Sequence, residues 1–130
     1  MSQPNVQGDD APVVLVVDDD PTILNLLKLV LPSDGFSVLA ASSGVEAIEV
    51  FRQATKPVAA VLLDVRMPGM DGPQTLTELR RINPTIRCCF MSGETGEYSS
   101  NELCDRTGSP LITKPFQLPE LIRVLRELTS

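Results

Sequence analysis

Five short apolar stretches alternate along the chain with segments in which apolar residues recur at every third or fourth position. An unbroken apolar run of this length is typical of a strand buried on both faces of a sheet. The second spacing is typical of a helix with one apolar face. The pattern predicts strands over Val13–Val17, Phe36–Ala40, Val58–Leu63, Ile86–Met91 and Leu111–Thr113.

Capping residues mark where the intervening helices begin. Asp20 followed by Pro21 is typical of a helix N-terminus, because proline is favoured in the first helical turn. Ser43 and Asp71 hold equivalent positions before the second and third helical segments, and a weaker helix is predicted from Tyr98 to Arg106. A last helix follows the fifth strand. Strands that alternate with helices predict an α/β fold with parallel βαβ units and right-handed crossovers.

Length and charge indicate one domain and limit its partners. The 130 residues suffice for a single core, and we predict a flexible N-terminal extension over residues 1–12 and one domain over residues 13–130. Each apolar run is interrupted before it could span a bilayer, and the polar N-terminus does not resemble a secretory signal. The net charge of −6 argues against direct binding to nucleic acid phosphates. We therefore expect neither a membrane nor a nucleic acid partner.

The cysteine and histidine content narrows the chemistry. Cys88 and Cys89 are adjacent and Cys104 stands apart, so the three cysteines form no spaced framework. We expect reduced, mostly buried thiols and a cytoplasmic location. The chain has no histidine, which excludes Ser-His-Asp and Cys-His catalysis and zinc sites that use histidine.

Polar side chains follow the ends of four predicted strands. Asp18 and Asp19 come after the first strand, Asp64 after the third, Ser92 after the fourth and Lys114 after the fifth. In open parallel sheets the ligand site lies beyond the carboxyl ends of the strands, where the strand order reverses. We therefore expect three carboxylates, a hydroxyl and an ammonium group to converge on one rim.

Clustered carboxylates without imidazole or thiolate form a hard-oxygen site that suits Mg²⁺, or alternatively Mn²⁺. Two unit charges 4 Å apart repel by roughly 4 kcal/mol at an effective dielectric of about 20, so such a cluster needs a cation. A lysine and a hydroxyl opposite that ion could hold phosphoryl oxygens. One of the carboxylates could itself be the nucleophile and form an aspartyl phosphate.

From Val13 onwards the chain resembles the receiver domains of two-component response regulators. The motifs that carry the resemblance are VVDDD after the first strand, LLDVRMPGMDG around the third, MSG after the fourth and ITKPF after the fifth. The resemblance implies a flavodoxin-like, doubly wound (βα)5 fold with a five-stranded parallel sheet in the order 2-1-3-4-5. It also implies a phosphoacceptor that takes its phosphoryl group from a sensor histidine kinase or a histidine phosphotransfer protein.

The resemblance assigns roles to individual residues. It implies that Asp64 accepts the phosphoryl group, and that Mg²⁺ is bound by Asp19, Asp64 and the backbone carbonyl of Arg66, with Asp18 assisting through water. Ser92 and Lys114 would contact the phosphoryl oxygens, and the peptide bond between Lys114 and the proline after it would be cis. The protein would be a regulator rather than an enzyme, limited to self-catalysed phosphotransfer and autodephosphorylation. It would switch an effector-binding face formed by the fourth helix, fifth strand and fifth helix.

The chain departs from the family pattern at the switch. Leu111 stands where Tyr or Phe is usual, Gly93 where Ala is usual, and Ser109-Pro110 where a small and then a polar residue are commoner. We expect the effect of phosphorylation to reach a partner mainly through the loop after the Ser92 hydroxyl and through the fourth helix. Arg66 and Glu94 each lie two residues beyond a site residue, and we expect them to flank the entrance and tune autodephosphorylation.

Other functions fit parts of the pattern. Asp18-x-Asp20-x-Thr22 matches the signature of haloacid dehalogenase-like phosphatases. Those enzymes need a further acidic motif after their lysine, and only Glu120 and Glu127 follow Lys114. A flavodoxin-like carrier of FMN would need a Ser, Thr or Gly loop where this chain has aspartates. A degenerate receiver that is never phosphorylated is the third alternative.

Several charged residues have a structural explanation that competes with a functional one. Asp20 and Asp71 are expected to cap helices. The pair Arg80 and Arg81 is expected on the solvated face of the third helix.

Overall fold

The computed structural model describes residues 10–93 and 100–130 and has a parallel sheet with helices on both faces. The strands are β1 (Val13–Val17), β2 (Ser37–Ala41), β3 (Val58–Asp64), β4 (Arg87–Ser92) and β5 (Leu111–Thr113). The helices are α1 (Pro21–Val30), α2 (Gly44–Gln53), α3 (Gly72–Ile82), α4 (Ser100–Thr107) and α5 (Leu118–Thr129). The strand order β2-β1-β3-β4-β5 confirms the predicted fold class. Among the described residues, no helix combines the length and apolar character needed to cross a membrane.

The two faces of the sheet carry separate apolar cores, because successive strand residues point to opposite sides. Leu15 of β1 lies on the face covered by α2, α3 and α4, whereas its neighbour Val16 lies on the face covered by α1 and α5. Both side chains are fully buried. Burial on both faces explains why the strands are continuous apolar runs rather than alternating ones.

The second strand begins one residue later than predicted. Gly35 adopts a left-handed conformation, with φ of 92°, after a short 3-10 turn over Leu31–Asp34. The backbone N–H of Phe36 then donates to the carbonyl of Leu31 at 3.3 Å. Phe36 therefore closes this turn, and pairing with β1 starts at Ser37.

The third and fourth strands each run one residue further than predicted. Asp64 pairs with Met91 across β3 and β4, and Ser92 pairs with Thr113 across β4 and β5. The acid and the hydroxyl that were expected just beyond the strands are therefore their last residues. Their backbones are fixed by the sheet itself.

The cysteines are free thiols, as predicted. Cys88 and Cys89 are buried on opposite faces of β4. Burial, and to a lesser extent the neighbouring thiol, raises the pKa of Cys88 well above its ordinary value. Burial likewise raises the pKa of Cys89 to about 12. Cys104, on α4, is partly exposed.

The first described residues are already attached to the sheet. Ala11 is buried, and the carbonyl of Pro12 accepts a hydrogen bond from the N–H of Ser37 at 2.9 Å. The rest of the predicted N-terminal extension, residues 1–9, lies outside the described residues.

Candidate functional site

Three carboxylates meet at the carboxyl edge of the sheet, between β1 and β3. Asp18, Asp19 and Asp64 each offer one oxygen, and these three oxygens lie within 4.8 Å of one another. The strand order reverses at β1, whose neighbours β2 and β3 are reached by helices on opposite faces. The acids therefore lie at the switch point where doubly wound sheets bind ligands.

Asp18 is the most strongly fixed of the three acids. Its N–H continues the β1–β2 pairing by donating to the carbonyl of Ala41 at 3.2 Å, and the residue is fully buried. Oδ1 accepts from the N–H of Asp20 at 2.9 Å, and Oδ2 accepts from Nζ of Lys114 at 2.7 Å. Both carboxylate oxygens are thus engaged by protein donors.

Asp19 and Asp20 are exposed but have different surroundings. Asp19 turns its carboxylate towards the acid cluster. Asp20 is the N-cap of α1, and its Oδ1 accepts from the N–H of Thr22 at 2.9 Å. Asp20 therefore completes the helix end, as predicted, and does not join the metal-ligand cluster.

Asp64 is the last residue of β3 and is almost completely buried, with 6% of its surface exposed. In the protein without a bound cation, burial and, to a lesser extent, the charge of Asp18 raise the pKa of Asp64 to about 7. Lys114, whose Nζ lies 3.5 Å from Oδ1 of Asp64, acts in the opposite direction but does not cancel the effect. The carboxylate is therefore held in a site that disfavours its charge.

Lys114 joins the acids to β5 and β4. Its N–H donates to the carbonyl of Ser92 at 2.9 Å, and the Lys114–Pro115 peptide bond is cis, as expected. Burial lowers the pKa of Lys114, but the bond to Asp18 and the charges of Asp64 and Asp18 outweigh it and leave the pKa raised. The ammonium group is therefore firmly charged and bridges the two buried acids.

Ser92 lies on the same rim at the end of β4 and is 2% exposed. Leu111 begins β5 and packs, partly buried, against the core on the α2–α4 face. Arg66, in the loop that joins β3 to α3, is exposed. The expected tuning residue Glu94 lies outside the described residues.

The loop after Asp64 is closed by a very short approach between backbones. The N–H of Gly72 donates to the carbonyl of Val65 at 2.8 Å. A Cβ at position 72 would lie only 2.4 Å from the carbonyl oxygen of Asp64. Only glycine allows α3 to begin this close to the strand that carries the acid. Asp71 just before it forms a capping box with Gln74, which confirms the predicted cap.

Arg80 was expected on a solvated helix face, and this expectation is wrong. Its guanidinium is partly buried and donates to the carbonyls of Ile86 and Thr107. Arg81, by contrast, is 73% exposed and forms an ion pair with Glu78. Both arginines lie in the last turn of α3, and no sequence signal separates them, because the carbonyls that Arg80 contacts come from distant segments.

The donor set suits a divalent cation of the hard-oxygen class. The cluster offers carboxylate oxygens without imidazole or thiolate, which favours Mg²⁺, Mn²⁺ or Ca²⁺ over zinc or copper. Three carboxylates meet one ammonium group here, among the described residues. A bound dication would neutralise the charge that the site itself leaves uncompensated.

Comparison with known proteins is consistent with this geometry. The family model described as response regulator receiver domain matches residues 14–126. Sensor kinase CckA of Brucella abortus is 36% identical over 118 residues, which are 91% of this chain and 12% of the relative. Transcriptional regulatory protein PrrA of Mycobacterium leprae is 34% identical over 122 residues, which are 93% of this chain and 51% of the relative. The chain thus spans about half or less of these two relatives.

Solved structures with the same arrangement of elements are also found. A response regulator receiver domain protein from Clostridium thermocellum superposes with a TM-score of 0.81 at 27% identity. The match covers 91% of this chain and 94% of that one.

Proposed function

Since the chain belongs to the response regulator receiver domain family, we propose that Asp64 accepts a phosphoryl group from a phosphohistidine. The donor would be a sensor histidine kinase or a histidine phosphotransfer protein. The observation that carries the proposal is the position of the Asp64 carboxylate, which ends a central strand beside two further acids and 3.5 Å from an ammonium group. The phosphatase alternative based on Asp18 and Asp20 is not supported, because the matched family is the receiver and Asp20 is a helix cap.

In the proposed reaction a carboxylate oxygen of Asp64 forms a bond to phosphorus. The phosphorus–nitrogen bond of the donor breaks, and the imidazole leaves with the bonding electron pair. The raised pKa of Asp64 supports this role, since a more basic carboxylate is a better nucleophile; the product is an acyl phosphate. Attack by water later returns the carboxylate and releases inorganic phosphate.

We assign the divalent cation as Mg²⁺, with Mn²⁺ as a possible substitute, held by Asp19, Asp64 and the backbone carbonyl of Arg66. Asp18, whose two oxygens already accept hydrogen bonds, would assist through water. A bound Mg²⁺ neutralises carboxylate charge and attracts phosphoryl oxygens. The acidic cluster supports the class of cation, and the preference for phosphate chemistry supports Mg²⁺ within that class.

Lys114 and Ser92 would hold the remaining phosphoryl oxygens. Lys114 bridges Asp18 and Asp64, so its ammonium group is already beside the atom that would be phosphorylated. Ser92 ends the neighbouring strand and is joined to Lys114 through its carbonyl. Both groups therefore have fixed backbones from which to reach one oxyanion.

The partners follow from this role. We propose that the chain acts as a cytoplasmic regulator rather than an enzyme, with an effector bound on the face formed by α4, β5 and α5. Leu111, in place of an aromatic residue, would leave α4 as the main element that reports the switch. Relatives named transcriptional regulators extend well beyond the matched region, so the expectation that this domain does not contact nucleic acid stays a prediction about this domain.

The rate of autodephosphorylation is proposed to depend on Arg66 and Glu94. The proposal rests on the sequence alone, in which Arg66 follows Asp64 by two residues and Glu94 follows Ser92 by two. Dephosphorylation rates of Arg66→Ala, Glu94→Ala and the double variant test this, and simple additivity would count against a shared gate.

The phosphoacceptor assignment can be tested by intact mass after incubation with acetyl phosphate. We expect a gain of one phosphoryl group that requires Mg²⁺ and is lost in Asp64→Asn. Asp71→Asn is the matched control, because it removes an acid from the adjoining loop while Asn still caps a helix well. Labelling of Asp64→Asn on an aspartate at the wild-type rate would refute the assignment.

A further inference from the structure

A single side chain far from the acidic site ties α4 to the rest of the fold. Nη1 of Arg80, on α3, donates to the carbonyl of Thr107 at 2.8 Å. Nε and Nη2 of the same guanidinium donate to the carbonyl of Ile86 at 3.3 and 3.2 Å. Arg80 therefore joins three segments: the end of α3, the residue before β4 and the last residue of α4.

The hydrogen bond to Thr107 is made to a backbone carbonyl that has no donor within the helix itself. Thr107 is the last residue of α4, and the last carbonyls of a helix have no partner within it. Gly108 follows in the left-handed conformation and its N–H donates to the carbonyl of Cys104 at 2.8 Å. A cation at this end also interacts favourably with the helix dipole. Arg80 thus gives the Thr107 carbonyl a charged donor at 2.8 Å, beside a longer bond from Oγ of Ser109 at 3.5 Å.

Side-chain packing gives α4 little other support. Among its described side chains, Leu103 is the one that is buried, at 0% exposure, and the others are partly or fully exposed. An amphipathic helix is normally held by a broad apolar stripe. The hydrogen bond from Arg80 at the carboxyl end therefore adds to the limited packing that holds α4.

Arg80 contacts α4 at the end of the sheet opposite the acids. Ile86 lies just before the amino end of β4, whereas Ser92 is its last residue. At roughly 3.3 Å per strand residue the two ends are about 20 Å apart. The chain that leaves Ser92 leads to the amino end of α4. A displacement of Ser92 would therefore move the amino end of α4, while Arg80 holds its carboxyl end in place.

We propose that Arg80 is the fixed point about which α4 tilts when the site is phosphorylated. The inference rests on the proposed function, since it takes α4 as part of the effector face. With its carboxyl end held, the helix converts a small movement at Ser92 into a change of angle rather than a release of the whole segment. Arg80 is a positioning residue, because it touches neither the acids nor the phosphoryl group.

Hydrogen exchange along α4 tests this proposal in the full chain. The variants are Arg80→Met and, as the matched control, Arg81→Met on the adjacent exposed position. Without phosphoryl analogue, we expect amides of residues 104–109 in Arg80→Met to exchange roughly tenfold faster or more, the effect of losing a hydrogen bond from a charged donor. Apart from the start of β4 beside Ile86, the sheet should be unchanged, and Arg81→Met should match wild type throughout.

A second arm adds Mg²⁺ and beryllofluoride, a phosphoryl analogue. In wild type we expect the changes in exchange to be confined to the amino half of α4 and the segment before it. In Arg80→Met they should extend to residues 104–109. Arg80→Lys keeps the positive charge but not the several donors of the guanidinium, so its exchange should lie between that of wild type and that of Arg80→Met. This variant replaces Arg80→Met if the latter does not fold.

The outcomes separate the anchor from the proposed function. Wild-type exchange at residues 104–109 in Arg80→Met, or faster exchange spread evenly over the sheet, would overturn the anchor. A change in exchange at the carboxyl end of α4 when beryllofluoride is added to the wild-type protein would also overturn it. If beryllofluoride changes nothing in wild type and acetyl phosphate does not label it, the proposed function fails, whereas the comparison of the free variants still decides whether Arg80 holds α4.

Discussion

Replacing Asp64 by asparagine should stabilise the protein when divalent cations are removed. The pKa of Asp64 is raised to about 7, mainly by burial, whereas an aspartate in an unfolded chain titrates near 3.8. The folded state therefore binds this proton more tightly than the unfolded state does. Stability conferred by the protonated carboxyl group is present at low pH and is lost as the pH rises from about 4 to about 7.

The size of the effect follows from the same shift. About three pKa units correspond to roughly 4 kcal/mol at 1.36 kcal/mol per unit. The carboxylate is coupled to the charges of Asp18 and Lys114, so we assign about half of this value, about 2 kcal/mol, to Asp64 itself. Asparagine keeps the shape without the charge. The gain for Asp64→Asn should thus be small near pH 4, rise to about pH 7 and then level off.

Urea denaturation with EDTA at pH 4.5, 6 and 8 measures the gain. Asp105→Asn, an exposed acid on α4, changes the net charge by the same amount and should show no such dependence on pH. In excess Mg²⁺ the advantage of Asp64→Asn should disappear, because cation binding stabilises only the wild type. A variant that is less stable than wild type at pH 8 without cations, or one whose gain does not change with pH, would refute the reasoning.

Three further variants and one control test the site from other sides. Asp19→Asn should weaken Mg²⁺ binding by roughly tenfold or more, with little change in cation-free stability because Asp19 is exposed. An unchanged Mg²⁺ affinity in calorimetric titration would contradict this. Gly72→Ala should lower both Mg²⁺ affinity and stability, because the new Cβ would meet the backbone of Asp64 and Val65. Gly44→Ala, whose Cβ would meet Thr75 instead, should lower stability alone. Lys114→Met should cost roughly 3 kcal/mol at pH 8 because it leaves buried acids unpaired, and Mg²⁺ should restore part of that loss in thermal melts.

The fold and the convergence of the site could be predicted because local rules and topology agree. Apolar runs gave the strands, and capping residues such as Ser43 marked the helix starts, where the side chain accepts from the N–H of Glu46. The convergence of Asp64 with the Asp18-Asp19 pair needed one further rule, that parallel strands present their carboxyl ends on one edge. None of this required knowledge of side-chain contacts.

The parts that were missed depend on particular hydrogen-bond partners, some of them in distant segments. Arg80 and Arg81 are identical in type and adjacent in sequence, yet only Arg80 reaches carbonyls that α4 and the start of β4 bring to it. The start of β2 was misplaced because Phe36 is apolar like a strand residue, although its N–H is used by the preceding turn. Patterns of hydrophobicity carry no information about such partners.

The burial of two of the three thiols gives the unmodified chain a built-in labelling site. Cys88 and Cys89 are shielded by the sheet and by raised pKa values, so the thiolate that reacts with maleimides is scarce there. Cys104 is the partly exposed cysteine, and it lies on α4. A fluorophore or spin label added to the native protein should therefore attach to one known helix. The helix whose movement is of interest can be followed without introducing any substitution.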